Sequence, residues 1–113
     1  MAKSTGFLPY MKLALAEAEK AYHLGEVPVG AIIVDLTNQQ IIARAHNLVE
    51  KLKQPLAHAE MIAINQALAS KQTKYLDDCA IYVTLEPCPL CAQAISLLRV
   101  KRLIFGADDK KSG

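Results

Sequence analysis

The sequence contains no tryptophan, only three cysteines, and no apolar run long enough to cross a bilayer. Three cysteines at uneven spacing do not form the even-numbered framework of a disulfide-rich secreted domain, and they favour a reducing compartment. The first residues, MAKSTGFLPYMK, lack the apolar core and the small-residue cleavage site of a secretory signal peptide. These absences predict a cytoplasmic protein that does not associate with membranes.

The composition is that of one globular domain spanning residues 1–113, with 52% hydrophobic and 21% charged residues. The formal net charge of +2 is weak evidence for any partner. Basic residues lie at Lys51 and Lys53 and again near the C-terminus, at Lys101, Arg102, Lys110 and Lys111. A solvated surface explains these charges most simply, and contacts with phosphate groups are the alternative.

Hydrophobic periodicity predicts the element order helix, strand, strand, helix, strand, helix, strand. The predicted helices span residues 9–24, 56–70 and about 88–98, and the predicted strands span 27–35, 41–47, 79–86 and 101–107. The first two strands are expected to form an antiparallel hairpin around the polar turn LTNQQ. This order predicts an α/β fold with a mixed sheet and helices packed on its faces.

Two thiols, Cys88 and Cys91, lie in the segment PCPLC, where a predicted strand is followed by a helix. Such a pair fits a redox centre, a structural metal site or part of a catalytic metal site. The segment AHAE, also at a predicted helix start, adds the imidazole of His58 and the carboxylate of Glu60. Thiol–disulfide exchange requires neither group, whereas a metal site requires a third ligand and often a base, so the metal interpretation is favoured.

Spacing limits where such a site can lie. Cys88 and Cys91 share a helix face, whereas His58 and Glu60, two residues apart, converge on one point only beyond the end of their helix. Both helices must therefore begin at the same edge of the sheet. Cys79 would lie about 20 Å away along its strand, and it is expected to be a buried apolar residue. Three protein ligands leave a fourth position for water, which indicates a catalytic zinc site with Glu60 as the proton carrier.

His-Ala-Glu at 58–60 combined with Pro-Cys-x-x-Cys at 87–91 resembles the signature of the zinc-dependent nucleoside and nucleobase deaminases. Within that family the chain is most similar to the bacterial tRNA adenosine deaminases. The similarity runs from about residue 10 to the end and includes the segments EVPVGAIIV, ARAHN, PLAHAEMIAI, YVTLEPCPLCAQAI and RLIFGADDKKSG. Either half of the metal motif alone would be weak evidence, and the two together are highly specific.

The resemblance implies a cytidine-deaminase-like three-layer α/β/α fold and a homodimer. It also implies zinc-dependent hydrolysis of adenosine to inosine at the wobble position of a tRNA anticodon stem-loop, with no DNA partner expected. Carried over position by position, His58, Cys88 and Cys91 match the zinc ligands and Glu60 matches the proton shuttle.

The resemblance further implies a set of substrate-binding residues. Asn47 matches the residue that hydrogen-bonds the flipped base, and Val29 and Leu85 match apolar walls of the base pocket. Ala59, between His58 and Glu60, is counted with the pocket, while Asp109 and Lys110 match positions near the backbone of the anticodon loop. Relatives continue past GADDKKSG with another strand and helices, which are expected to be absent here.

Two other functions stay open at this stage. A deaminase of a free nucleobase or nucleoside such as guanine, cytosine or cytidine would share the metal motif. A zinc-binding protein that has lost catalysis would also keep these ligands.

Overall fold

A four-stranded mixed sheet forms the centre of the molecule. The structure is a computed structural model and describes residues 2–106. The strands are β1 (Gly30–Asp35), β2 (Gln40–His46), β3 (Cys79–Val83) and β4 (Arg102–Phe105), in the spatial order β2-β1-β3-β4. β1 pairs antiparallel with both β2 and β3, and β3 pairs parallel with β4. The predicted hairpin and the mixed sheet are both confirmed.

Helices cover both faces of this sheet. They are α1 (Ala2–His23), α2 (Val49–Leu52), α3 (Ala59–Lys71) and α4 (Pro89–Leu97). Strand residues alternate between the faces, as the pleat requires. Ala31 and Ile33 pack with α3 and α4, whereas Ile32 and Val34 pack with α1. The predicted three-layer α/β/α arrangement is therefore confirmed. Within residues 2–106, no helix is long and apolar enough to cross a membrane.

The structure differs from the sequence-based prediction at several element ends. α1 begins at Ala2, so Pro9 lies inside the helix rather than in its first turn. β1 begins at Gly30 instead of residue 27, because the proline at position 28 cannot donate to a ladder. The short helix α2 lies between the second predicted strand and the second predicted helix, where the sequence predicts no regular element. Its four residues are too few for a periodic pattern to reveal.

α1 crosses β1 at very close range over Gly30. A Cβ atom at this position would lie 2.0 Å from the carbonyl oxygen of Ala14 and 2.6 Å from the backbone nitrogen of Ala18. Both neighbouring atoms belong to a helix backbone and cannot rotate away. The absence of a side chain at Gly30 therefore sets the distance between α1 and the sheet.

We expect Gly30→Ala to lower the free energy of unfolding by about 3 kcal/mol or more, because α1 would have to shift as a unit. Urea denaturation measures this effect. Ala16→Gly, at an exposed position of α1, serves as the control and should cost only about 1 kcal/mol. An alanine variant as stable as the original chain would refute the close approach.

An ionic cluster connects three elements at the edge of the sheet where β1 ends. Lys71, the last residue of α3, donates to Asp35 at 2.8 Å and to Asp78 at 2.9 Å. Hydrogen bonds from Lys71 and Thr37 lower the pKa of Asp35 to about 2. The hydrogen bond from Lys71 also lowers the pKa of Asp78. The carboxylates are thus stabilised in their charged forms.

The cluster predicts a dependence of stability on pH. Because the pKa of Asp35 is lowered from 3.8 to about 2, its contribution is complete above about pH 4 and is lost as the pH falls through about 2. The shift corresponds to at most about 2 kcal/mol. Asp35→Asn should therefore lower stability at pH 7 and flatten its decline between about pH 4 and pH 2, as measured by denaturation at each pH. An unchanged acid slope would contradict this role of Asp35.

Candidate metal centre

His58, Cys88 and Cys91 meet where two helices begin. His58 is the residue that precedes α3, Cys88 precedes α4, and Cys91 lies in the first turn of α4. Because β1 is antiparallel to both β2 and β3, the latter two strands run in the same direction. Their carboxyl ends lie at the same edge, and α3 and α4 follow them there. The structure thus confirms the shared edge that the spacing required.

The three side chains have the separation expected of zinc ligands. Nδ1 of His58 lies 3.3 Å from Sγ of Cys91 and 3.8 Å from Sγ of Cys88. All three ligand atoms lie within 4.8 Å of one another. Tetrahedral zinc with usual bond lengths separates a sulfur from a nitrogen ligand by about 3.6 Å. The two measured distances lie on either side of this value, so the group fits zinc.

The environment of Cys91 disfavours a redox role for this thiol. Burial, followed by the charges of Glu60 and Cys88, raises the pKa of the Cys91 thiol. A redox-active thiol normally has a lowered pKa. Ionisation of a thiol that is buried beside Glu60 and Cys88 is unfavourable unless a cation such as a metal ion binds it. Cys79 is fully buried at the opposite end of β3 and takes no part in this group, as predicted.

Glu60 lies in the first turn of α3 and lines the same pocket as His58 and Cys88. Its side chain is buried, and desolvation raises its pKa from the usual value. Desolvation disfavours the charged carboxylate, which makes the group a better proton acceptor than an exposed glutamate. Glu60 can therefore hold and release a proton next to the three ligands.

Asn47 connects the end of β2 to the start of α3. Its Oδ1 accepts a hydrogen bond of 2.7 Å from the backbone N–H of Ala59, and its own backbone N–H donates to the carbonyl of Val29 at 3.2 Å. The side chain thus satisfies one of the free N–H groups at the helix start. Through this bond it fixes the position of Ala59, which lies between His58 and Glu60. The sequence suggested a contact with the base and did not reveal this structural contribution.

A pocket of about 460 Å³ opens at this edge of the sheet. That volume is in the range of small-molecule sites. The predicted residues that line it are Val29, Asn47, His58, Glu60, Leu85 and Cys88. Ala59 is fully buried, does not line the pocket and donates its N–H to Asn47. Asp109 and Lys110 lie outside the described residues.

Several lining residues were not predicted from the sequence. They are Gly25, Glu26, Val27, Val49, Glu50 and Glu86. The first three lie between α1 and β1, and the next two belong to α2. For Glu26, its place at the start of the largely apolar run GEVPVG was a signal in the sequence that this carboxylate could be buried.

Residues 8–107 match the family model described as the cytidine and deoxycytidylate deaminase zinc-binding region. The chain belongs to this family. The donor set and its placement agree with that assignment, and zinc is the metal that the family binds.

Similar proteins carry more specific names. A tRNA-specific adenosine deaminase of Aquifex aeolicus is 55% identical over 92% of this chain, which spans 68% of that relative's length. A solved structure from a study of A-to-I editing by tRNA:A34 deaminases at the wobble position of transfer RNA is 42% identical. It superposes with a TM-score of 0.90 over 96% of this chain and 82% of its own. A guanine deaminase of Bacillus subtilis is 37% identical, with a TM-score of 0.83 over 88% of this chain and 63% of its own.

Proposed function

We propose that this member of the family is a zinc-dependent hydrolase that converts adenosine to inosine at the wobble position of a tRNA anticodon. The observation that carries the proposal is the group of His58, Cys88 and Cys91 beside a pocket that is lined by His58, Cys88 and the buried Glu60. The high identity to a tRNA-specific adenosine deaminase supports the choice of substrate.

The ligands and the proton carrier have separate roles in this proposal. Zinc would be held by the imidazole of His58 and by the sulfur atoms of Cys88 and Cys91. When bound, zinc supplies a Lewis acid that makes a water molecule nucleophilic near neutral pH. Glu60 takes one proton from that water and gives it to the purine ring nitrogen. It then takes the proton of the hydroxyl group now on C6 and gives it to the leaving amine. Water adds to C6, the bond from C6 to the exocyclic nitrogen breaks, and ammonia departs.

The pocket walls orient the base in this scheme. Val29 and Leu85 provide apolar contacts with the purine faces and exclude water, while the amide of Asn47 retains donors that can meet the base. Glu60 and Asn47 keep their relative positions because Asn47 is bonded to the helix start that carries Glu60. The target nucleotide must leave its stack, which costs least in a single-stranded loop.

The proposal extends to the compartment, the oligomeric state and the RNA contacts of the protein. We propose a cytoplasmic protein that functions as a homodimer, and we propose that Asp109 and Lys110 lie near the backbone of the anticodon loop. Sedimentation of the zinc-loaded chain tests the dimer directly.

A deaminase of free guanine is the second candidate, because the guanine deaminase structure superposes over 88% of this chain. Its identity of 37% is lower than the 55% shared with the tRNA-specific relative. The wobble adenosine is therefore the better-supported substrate.

A comparison of substrates tests the proposal. The zinc-loaded chain is incubated separately with an arginine-tRNA anticodon stem-loop, guanine, cytidine and adenosine, and both ammonia and inosine are measured. We expect inosine at the wobble position and no ammonia from the free compounds. Ammonia from guanine without inosine in the RNA would favour the second candidate. Zinc binding with no product from any substrate would overturn the enzymatic assignment.

A further inference from the structure

Glu26 is a buried carboxylate that caps a helix distant from it in sequence. Its side chain is 5% exposed and lies between α1 and β1. Oε1 accepts a hydrogen bond of 3.0 Å from the backbone N–H of Glu50, and Oε2 accepts one of 2.8 Å from the N–H of Lys51. The two oxygens of the Glu26 carboxylate thus accept hydrogen bonds from two consecutive backbone amides of α2.

These two bonds supply what the local sequence of α2 does not. The residue before the helix is Leu48, which has no side-chain oxygen and makes no side-chain cap. The first N–H groups of any helix have no partner within the helix and must find one elsewhere. A helix of four residues does not persist by itself in water. Charge-assisted hydrogen bonds from Glu26 therefore hold α2 in place.

α2 is also a wall of the pocket. Val49 and Glu50 line the cavity together with Glu26 itself. The segment that contains α2 connects Asn47 to His58, and its ends are joined by a hydrogen bond of 3.0 Å from the N–H of Leu48 to the carbonyl of Ala57. Movement of α2 would therefore change the shape of the pocket between two of its functional residues.

We propose that Glu26 is a positioning residue for deamination, which keeps α2 fixed as the wall against which the target base is seated. This inference rests on the proposed function. Glu26 takes no proton and holds no metal in this role, since both of its oxygens are occupied by backbone amides. A mobile wall would have to be ordered each time a base binds, so loss of Glu26 should weaken substrate binding more than the chemical step.

The test is Glu26→Gln in the zinc-loaded chain, which keeps the size of the side chain but directs an amide NH₂ group at one of the two backbone donors. Amide hydrogen exchange of Glu50 and Lys51 reports on α2 without any substrate. Inosine formation from the anticodon stem-loop gives KM and kcat. Glu19→Gln, an exposed residue of α1 with the same change of charge, is the matched control.

We expect exchange of the two amides to become at least about tenfold faster, and KM to rise about tenfold with kcat and zinc content nearly unchanged. The control should match the original chain. Unchanged exchange and unchanged KM would overturn the proposal. Faster exchange throughout the chain with loss of zinc would also overturn it, because Glu26 would then support the whole fold. An original chain without activity on the stem-loop would refute the proposed function, while the exchange data would still decide whether Glu26 holds α2.

Discussion

Replacement of Glu60 by alanine is expected to lower kcat for inosine formation by about 10³-fold or more while zinc stays bound. A positioned general acid–base group contributes about 10² to 10⁴-fold to rate. In the proposed reaction Glu60 transfers every proton, which places its loss at the upper end of that range. The effect is measured as inosine formed per zinc-loaded chain under single-turnover conditions.

Two comparisons identify the cause of that loss. Glu60→Gln keeps the shape of the side chain but cannot accept a proton, so it should be nearly as inactive as the alanine variant. Glu19→Gln removes the same charge from an exposed site and should be fully active. A Glu60→Ala chain that keeps a tenth of the original rate would remove Glu60 from the mechanism.

Loss of one metal ligand is expected to abolish both zinc binding and activity. Cys91→Ser replaces a buried thiolate with a hydroxyl group that is a much poorer zinc ligand. Zinc at about 1,000 times its Kd stabilises the folded state by about 4 kcal/mol, so its loss should lower Tm by about 10–20 °C. Metal analysis and a thermal melt of the same sample provide both values.

The third cysteine offers an internal control. Cys79→Ala removes a buried sulfur at the far end of β3, so it should lower stability slightly but retain zinc and activity. Zinc retained by Cys91→Ser, or lost from Cys79→Ala, would contradict the ligand set. Chelation of zinc from the original chain should reproduce the lower Tm of Cys91→Ser, and restored zinc should reverse it.

The candidate metal ligands could be predicted because their chemistry is encoded in residue type and short spacing. Imidazole and thiol groups at two helix starts leave few alternatives to a metal site. Periodicity placed α3, α4 and the strand between them near their observed positions. The prediction was weaker for short elements. α2 has no apolar repeat of its own and depends on Glu26, a residue that precedes it by more than twenty positions.

The sequence alone determined the order of the elements other than α2, the hairpin, the three candidate ligands and the presence of a carboxylate near them. These features depend on local periodicity and on side-chain chemistry, which are readable along the chain. Only the tertiary structure decided that Asn47 accepts a hydrogen bond from the start of α3, that Gly30 lets α1 pack closely on the sheet and that Glu26 holds α2 at the pocket. Each of these contacts joins residues from separate elements. Asn47 and Glu26 accept hydrogen bonds from backbone amides that the fold brings close, and Gly30 lies against the backbone of α1.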